Sequence, residues 1–311
     1  MTDGISRSRR KKRNLKKRFL ESWQWYLLLL PGLVYLIIFH YIPMGGILIA
    51  FKNYRPARGI FGSKWVGFAN FIRFFQFPDM FKLIWNTLSI NLLKLAMFPI
   101  PIIFALMLNE VRSARFKKTV QMITYIPHFL SMVVVCSLVI LFLDKDSGVL
   151  TDLFVALGMK RQNLLGVPEA FPWIYALMDE WQGFGWGSIL YISALSGVPQ
   201  ENVEAARIDG ANRFQVIWHI NIPAIMATII ITFILRLGGL MGLGYAKIFL
   251  LQNNLNLPRS RVLSTYVYEI GLMGGQYSYS TAIGLFNTMV GLTIVLISNA
   301  FIKKISDVGL F

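Results

Sequence analysis

The chain has 311 residues, 55% of them hydrophobic, 14% aromatic and only 15% charged, with a formal net charge of +16 and a mean hydropathy of +0.56. A composition this apolar and charge-poor excludes an ordinary soluble domain and points to a lipid environment. The single cysteine, Cys136, lies in an apolar run, which excludes an intramolecular disulfide or a cysteine metal cluster and reads as a small core residue.

In chain order, the first element is a basic segment over residues 1–22 that contains RSRRKKRNLKKRF. Such a stretch serves as a nucleic-acid arm, the start of a cleaved signal, or a topology determinant. The apolar run behind it, residues 23–51, is too long for a signal core and shows no small-residue cleavage site. It is therefore predicted to be an uncleaved first span, with its basic flank in the cytoplasm and no nucleic acid as partner. Residues 121–143 and 281–302 also exceed the roughly 20 residues that a helix needs to cross the hydrocarbon layer. Three further runs, 83–108, 172–198 and 222–246, are interrupted by Lys94, by Asp179 and Glu180, and by Arg236. Runs of this length satisfy their own backbone as helices and are far too long for barrel strands.

The expected fold class is all-α, a polytopic membrane protein with six transmembrane helices and one membrane domain over residues 23–311. Six spans place both termini in the cytoplasm. Lys and Arg then number 17 on the inner side and 12 on the outer, a bias of the required sign. Outside, residues 52–82 are expected to form a cap of turns with one aromatic interfacial helix, its Phe and Trp residues acting as belt anchors. Residues 144–170 and 247–280 are long loops suited to docking something on that face.

Between spans four and five lies a polar stretch, residues 199–223. PQENVEAARID favours a helix, with proline in the first turn and Glu201 and Glu204 near the positive end of its dipole. Gly210 stops it, and ANRFQVIWHI forms a second short helical run before Pro223 opens the next span. Ala205 and Ala206 leave one surface without bulk, so that another backbone can approach closely. The segment is either a docking element for a cytoplasmic partner or a solvated loop with helical propensity.

The positions Glu204, Ala205, Ala206, Gly210, Ile220, Ile222 and Pro223 resemble the EAA loop of permease subunits of binding-protein-dependent ABC importers. Ile222 stands where that family usually has leucine. The resemblance covers nearly the whole chain: ARIDGAN is similar to the sugar-importer branch, as are LLLLPGLVYLIIFHYIPMGG, YIPHFLSMVVV, TYVYEIGL and YSYSTAIGLFNT. It implies a type I ABC importer permease fold in a bacterial cell membrane. It also implies a coupling helix, with Glu204, Ala205, Ala206, Asp209, Gly210 and Arg213 meeting an ATP-binding subunit. The implied partners are a second homologous permease, two ATP-binding cassette ATPase subunits, an extracellular solute-binding lipoprotein, membrane lipid and an oligosaccharide. The chain contains no GK dipeptide and hence no phosphate-binding loop. It is expected to bind no cofactor itself and to have no catalytic residue or metal site, with ATP and Mg2+ used by the partner ATPase subunits.

Charges inside membrane helices are costly and usually face a cavity or a partner. Lys94 near mid-span and Arg236 deeper in the outer half either line a passage for an anionic solute or pair with carbonyls or with acidic residues of a partner subunit. Asp179 and Glu180 are expected near the outer interface, in a gate or interfacial role. DEWQGFGWGSILY carries Trp181, Trp186 and Tyr191, flat faces on which sugar rings could stack, although packing is the commoner use of membrane tryptophan. Helical spacing puts Asp179, Gln182 and Trp186 near one face. Gly183, Gly185 and Gly187 permit close helix approach or a flexible break. His40 and His128, beside prolines, are read as hydrogen-bonded kink residues, and His219 as orienting the cytoplasmic element. The two cations favour an acidic, uronate-containing oligosaccharide such as a pectin-derived fragment. An ATP-independent channel or scaffold is the alternative, and a membrane-embedded carbohydrate enzyme a more distant one, since the histidines are scattered.

Overall fold

A computed structural model describes residues 22–306 of the chain. The basic segment before Ser22 and the placement of the two termini lie outside these residues. The first helix, α1 (Trp23–Leu36), continues through a π-turn at Ile37–Tyr41 and a 3₁₀ stretch at Gly45–Phe51. From Trp23 to Met44 it buries no side chain, and it joins the rest of the chain through its last turns, which pack on the final helix.

The expected cap contains a two-residue antiparallel ladder, β1 (Lys52–Asn53) on β2 (Lys64–Trp65). It also contains the aromatic helix α2 (Ala69–Phe75), of which Phe74 is buried while Phe75 stays exposed. Span two comprises α3 (Met80–Ala96) and α4 (Pro99–Asn109), 30 residues without a sharp bend.

Span three differs from its expectation. Residues 121–143 are not one helix: α5 (Ala114–Tyr125) and the 3₁₀ turn Ile126–Phe129 meet α6 (Met132–Phe142) at a bend of 100°. Pro127 supplies no N–H, Leu130 is extended with ψ 139°, and the Ser131 hydroxyl accepts the Val134 N–H at 3.3 Å to start a new helix. YIPHFLS is a stop followed by a restart.

After α7 (Val149–Ala156), the run expected as span four is α8 (Phe171–Ser196), an unbroken helix of 26 residues. Its glycines do not break it. At Gly185 a Cβ would fall 2.1 Å from the Thr124 carbonyl oxygen, so this glycine is what lets α8 cross α5. α8 supplies Phe171, Tyr175 and Met178 to one buried cluster and Tyr191 and Leu195 to another, which makes it the hub of the bundle.

Two short helices follow, α9 (Gln200–Ile208) and α10 (Arg213–Val216). The second does not end before Pro223. It passes through a π-turn at Ile217–Asn221 into α11 (Ile222–Gly238), giving one 29-residue rod over Arg213–Met241. Two of the three π-turns among the described residues, Ile37–Tyr41 and Ile217–Asn221, end two residues before a proline, Pro43 and Pro223; the third, Glu269–Met273, has none. A proline ring crowds the carbonyl four residues back, at Phe39 and His219, and the wider π geometry makes room for it without ending the helix.

The chain closes with α12 (Tyr245–Leu251), α13 (Leu263–Tyr268) and α14 (Tyr277–Ser306). Four unbroken helical runs among the described residues are long and apolar enough to cross a membrane, and the bent α5–α6 pair makes a fifth. α8, at about 39 Å, is long enough but less apolar, because it carries Asp179, Glu180, Gln182 and several serines and glycines.

Candidate functional site

Three helices and one return segment converge on a pocket of about 300 Å³ lined by Asn91, Lys94, Asp179, Glu180, Gly183, Arg236, Gly239, Leu240 and Gly242. Each charged residue there is paired within the chain. Lys94 Nζ lies 2.8 Å from Asp179 Oδ2, and Lys247 Nζ donates to Asp179 Oδ1 at 2.6 Å. Arg236 Nη2 donates to Glu180 Oε2 at 2.9 Å and to the Lys94 carbonyl at 2.6 Å. One guanidinium thus holds α11 to both α8 and α3. Asn91 Nδ2 adds a hydrogen bond to the Leu240 carbonyl at 2.7 Å. Burying two carboxylates is tolerable here because each has a hydrogen-bonded cation within contact distance.

The sequence-predicted residues Lys94, Asp179 and Arg236 therefore meet in one place, with cation partners and acceptors from this same chain. Gln182 and Trp186 do not line that pocket. Gln182 Nε2 donates to the Leu130 carbonyl at 3.1 Å, satisfying an acceptor left over where span three breaks. Trp186 stacks on His128 with ring centroids 4.5 Å apart and planes 1° from parallel, and Phe129 meets its edge. His128 is thus an aromatic partner at the bend.

Lys247 is absent from the sequence-based candidates because GLMGLGYAK reads as the end of a span running into an outer loop. In the fold the glycine-rich break turns α12 back against α6, so that Lys247 reaches Asp179. A second cavity of about 520 Å³ opens on the far side of α12. Its wall includes Tyr245, Ser264, Tyr268, Tyr277, Asn287 and Thr288; Tyr245 and Tyr268 stack at 4.5 Å, and Ser264 Oγ and Asn287 Oδ1 are buried with no hydrogen-bond partner. On α14 the polar pairs Ser280–Thr281 and Asn287–Thr288 lie two turns apart with Gly284 between them, a helical stripe that could have signalled this surface. Among the described residues no group of three His, Cys, Asp or Glu side chains could hold a metal ion.

At the opposite end, α9 and α10 form a peg whose polypeptide reverses at Gly210, with φ +87°. That left-handed conformation suits glycine. Asn212 and Gln215 then form a reciprocal cap, at 2.9 and 2.7 Å, that fixes the start of α10. Val203 and Val216 are the peg's buried anchors, and Arg207 Nη2 lies 3.8 Å from Glu110 at the end of α4. His219 Nδ1 sits 3.1 Å from the Gln215 carbonyl, bracing the peg against the π-turn. Glu204, Ala205, Asp209, Gly210 and Arg213 are exposed and Ala206 is partly so, and Ala206, Asp209 and Gly210 line a shallow cavity of about 350 Å³. Beside them, Ile208 is 86% exposed, Phe214 83% and Trp218 69%. Apolar side chains held this far out on a rigid element mark a contact surface.

Comparison with known proteins matches these features to one family. The model for "Binding-protein-dependent transport system inner membrane component" covers residues 97–306, from the end of α3 through α14. The polygalacturonan/rhamnogalacturonan transport system permease protein YteP of Bacillus subtilis (strain 168) is 43% identical over 99% of this chain and 97% of its own length. Protein LplB of the same organism is 45% identical over 94% and 92%. In a crystal structure of a bacterial alginate ABC transporter in complex with an alginate pentasaccharide-bound periplasmic protein, one chain superposes with a TM-score of 0.86, at 37% identity over 96% of this chain and all of its own. With a helical bundle, a peg between α8 and α11 and a family match over two thirds of its length, the chain belongs to the inner membrane components of binding-protein-dependent transport systems, the permease subunits of ABC importers.

Proposed function

We propose that this permease imports acidic oligosaccharides, uronate-containing chains among them, using ATP hydrolysed by separate subunits. The observation that carries the substrate class is the ion-pair cluster at the pocket: Lys94 and Arg236 in its lining, with Lys247 reaching Asp179 from α12 beyond that lining, outnumber Asp179 and Glu180 by one positive charge inside a bundle otherwise made of apolar helices. Permease relatives whose names concern polygalacturonan and alginate support the same class. Lys94, Asp179 and Arg236 would flank the passage. The aromatic and hydroxyl-lined cavity beyond α12 would take the sugar rings, through stacking on tyrosine and hydrogen bonds to Ser264 and Asn287. Gln182 and Trp186 would hold the bend in span three that shapes one wall.

In this reading both termini and the peg face the cytoplasm, and residues 199–223 dock on an ATP-binding subunit through Glu204, Ala205, Ala206, Asp209, Gly210 and Arg213, with Ile208 and Phe214 as apolar contacts. A rigid peg continuous with α11 passes the closure of the ATPase dimer into the spans as a rigid-body motion. ATP and Mg2+ are bound by those two subunits and not by this chain. A second homologous permease completes the passage, and a solute-binding lipoprotein delivers the oligosaccharide from outside.

The test is uptake of trigalacturonate into proteoliposomes holding the assembled importer and its binding protein. Uptake is expected to require ATP and to be lost in Glu204→Lys or Gly210→Pro, both of which should still insert. Uptake undiminished without ATP would mean a channel, and indifference to the carboxylates would remove the substrate class.

A further inference from the structure

The pairing inside the charged pocket is uneven. Asp179 carries two ammonium groups, Lys94 on Oδ2 at 2.8 Å and Lys247 on Oδ1 at 2.6 Å, whereas Glu180 carries one guanidinium. Asp179 also stands beside open space: its side chain is 22% exposed and lines the pocket, while Glu180 is only 9% exposed. An accessible carboxylate that bridges two lysines is placed as a solute carboxylate would be. The two lysines belong to different elements. Lys94 is within α3, a span packed along its length on α8. Lys247 is on the seven-residue α12, which follows a stretch containing Gly238, Gly239, Gly242 and Gly244. Tyr245, two residues before Lys247, walls the aromatic cavity on the other side of α12.

We propose that Asp179 is an internal stand-in for the solute's carboxylate, and that a uronate entering the pocket displaces it from Lys247 and Lys94. The inference rests on the acidic-oligosaccharide reading and deepens it by naming the exchanged pair. With the pocket empty, Asp179 neutralises the lysines and clamps α12 to α8. With a uronate in place, the surplus positive charge is matched, α12 is held by solute instead of by α8, and Tyr245 moves with it. Selectivity follows, since a neutral sugar cannot compete with Asp179 for the two ammonium groups.

The test is equilibrium binding of trigalacturonate, and of its carboxyl-reduced neutral counterpart, to the purified complex in lipid nanodiscs. Lys247→Met removes a cation and should weaken trigalacturonate binding about tenfold. Asp179→Asn removes the competitor and should strengthen it several-fold, and neither variant should shift the neutral sugar. Opposite signs for the two variants are the signature of exchange. Weakening in both variants, or equal shifts for the charged and neutral sugars, would make the ion pair a structural brace and overturn the proposal. If Asp179→Asn does not assemble, Lys247→Met decides alone: selective loss of the charged sugar supports exchange, and an unselective change refutes it. A wild-type complex that binds both sugars equally would instead contradict the acidic-substrate reading itself.

Discussion

The pocket around Asp179 and the peg at residues 199–223 are both polar interruptions in an oily chain, yet they are finished differently. In the pocket every charge finds its partner among α3, α8, α11 and α12. In the peg, Val203 and Val216 are tucked in and the start of α10 is capped, but Ile208 and Phe214 stand in the open. A region completed inside the chain contributes to folding, whereas a region left incomplete is waiting for another surface. The contrast predicts that changes in the pocket lower the stability of the chain, and that changes in the peg lower activity alone.

The largest effect is expected for Phe214→Asp combined with Ile208→Asp. Solute-stimulated ATP hydrolysis by the assembled complex should fall about 100-fold, as for paired hot spots, while the unfolding free energy of the isolated chain stays within about 0.5 kcal/mol of wild type. A loss of stability instead would erase the distinction between the two regions. Next is Arg236→Met, which strands Glu180 without its cation and should cost about 3–5 kcal/mol in a detergent unfolding experiment. Adding Glu180→Met should recover most of that, because no lone charge remains buried. A smaller effect, about 1–3 kcal/mol, is expected for Gln182→Ala, which leaves the Leu130 carbonyl without its donor at the bend.

The smallest concerns pH at the end of α6. N–H groups of Ser147 and Asp146 and the Ser147 hydroxyl hold the Asp144 carboxyl below the usual carboxylate range. A depressed folded value means that the turn gains support above the ordinary carboxylate range and loses it as pH falls through the folded value. The protection of amides in residues 144–148, relative to their intrinsic exchange rates, should therefore fall on acidification, and Asp144→Ala, which removes the acceptor, should lose that protection already at neutral pH. A turn whose exchange ignores both changes would show that these hydrogen bonds do not order it.

The extent of α8 and the two short helices of the peg were legible because hydropathy and turn residues are local signals. α8 is predicted at residues 172–198 and found at Phe171–Ser196; the stop at Gly210 needs only a glycine in the right place. The partners of Lys94 and Arg236 were not legible, since nothing in the spacing says that Asp179 and Glu180 reach α3 and α11 from the same end of α8. Lys247 was hidden for a similar reason: its role depends on a glycine-rich reversal that brings α12 back into the bundle, a tertiary event that mean hydropathy does not record. The break in span three was half visible. Pro127 announced a kink, but the 100° turn also needs Ser131 as a new cap and Gln182 from another helix to take up the freed carbonyl. The proline and the new cap are local signals, whereas the partner of the freed carbonyl comes from another helix and could not be read from spacing.

The central claim is that the peg meets a separate ATPase, and thiol chemistry at its tip tests this most directly. Ile208→Cys, in the complex assembled with its ATP-binding subunits, should cross-link to an ATP-binding subunit with a yield that changes on adding ATP. It should also resist a membrane-impermeant maleimide added outside intact cells. Labelling from outside, or a complex that hydrolyses ATP in response to solute while position 208 cross-links to no other subunit, would contradict the account.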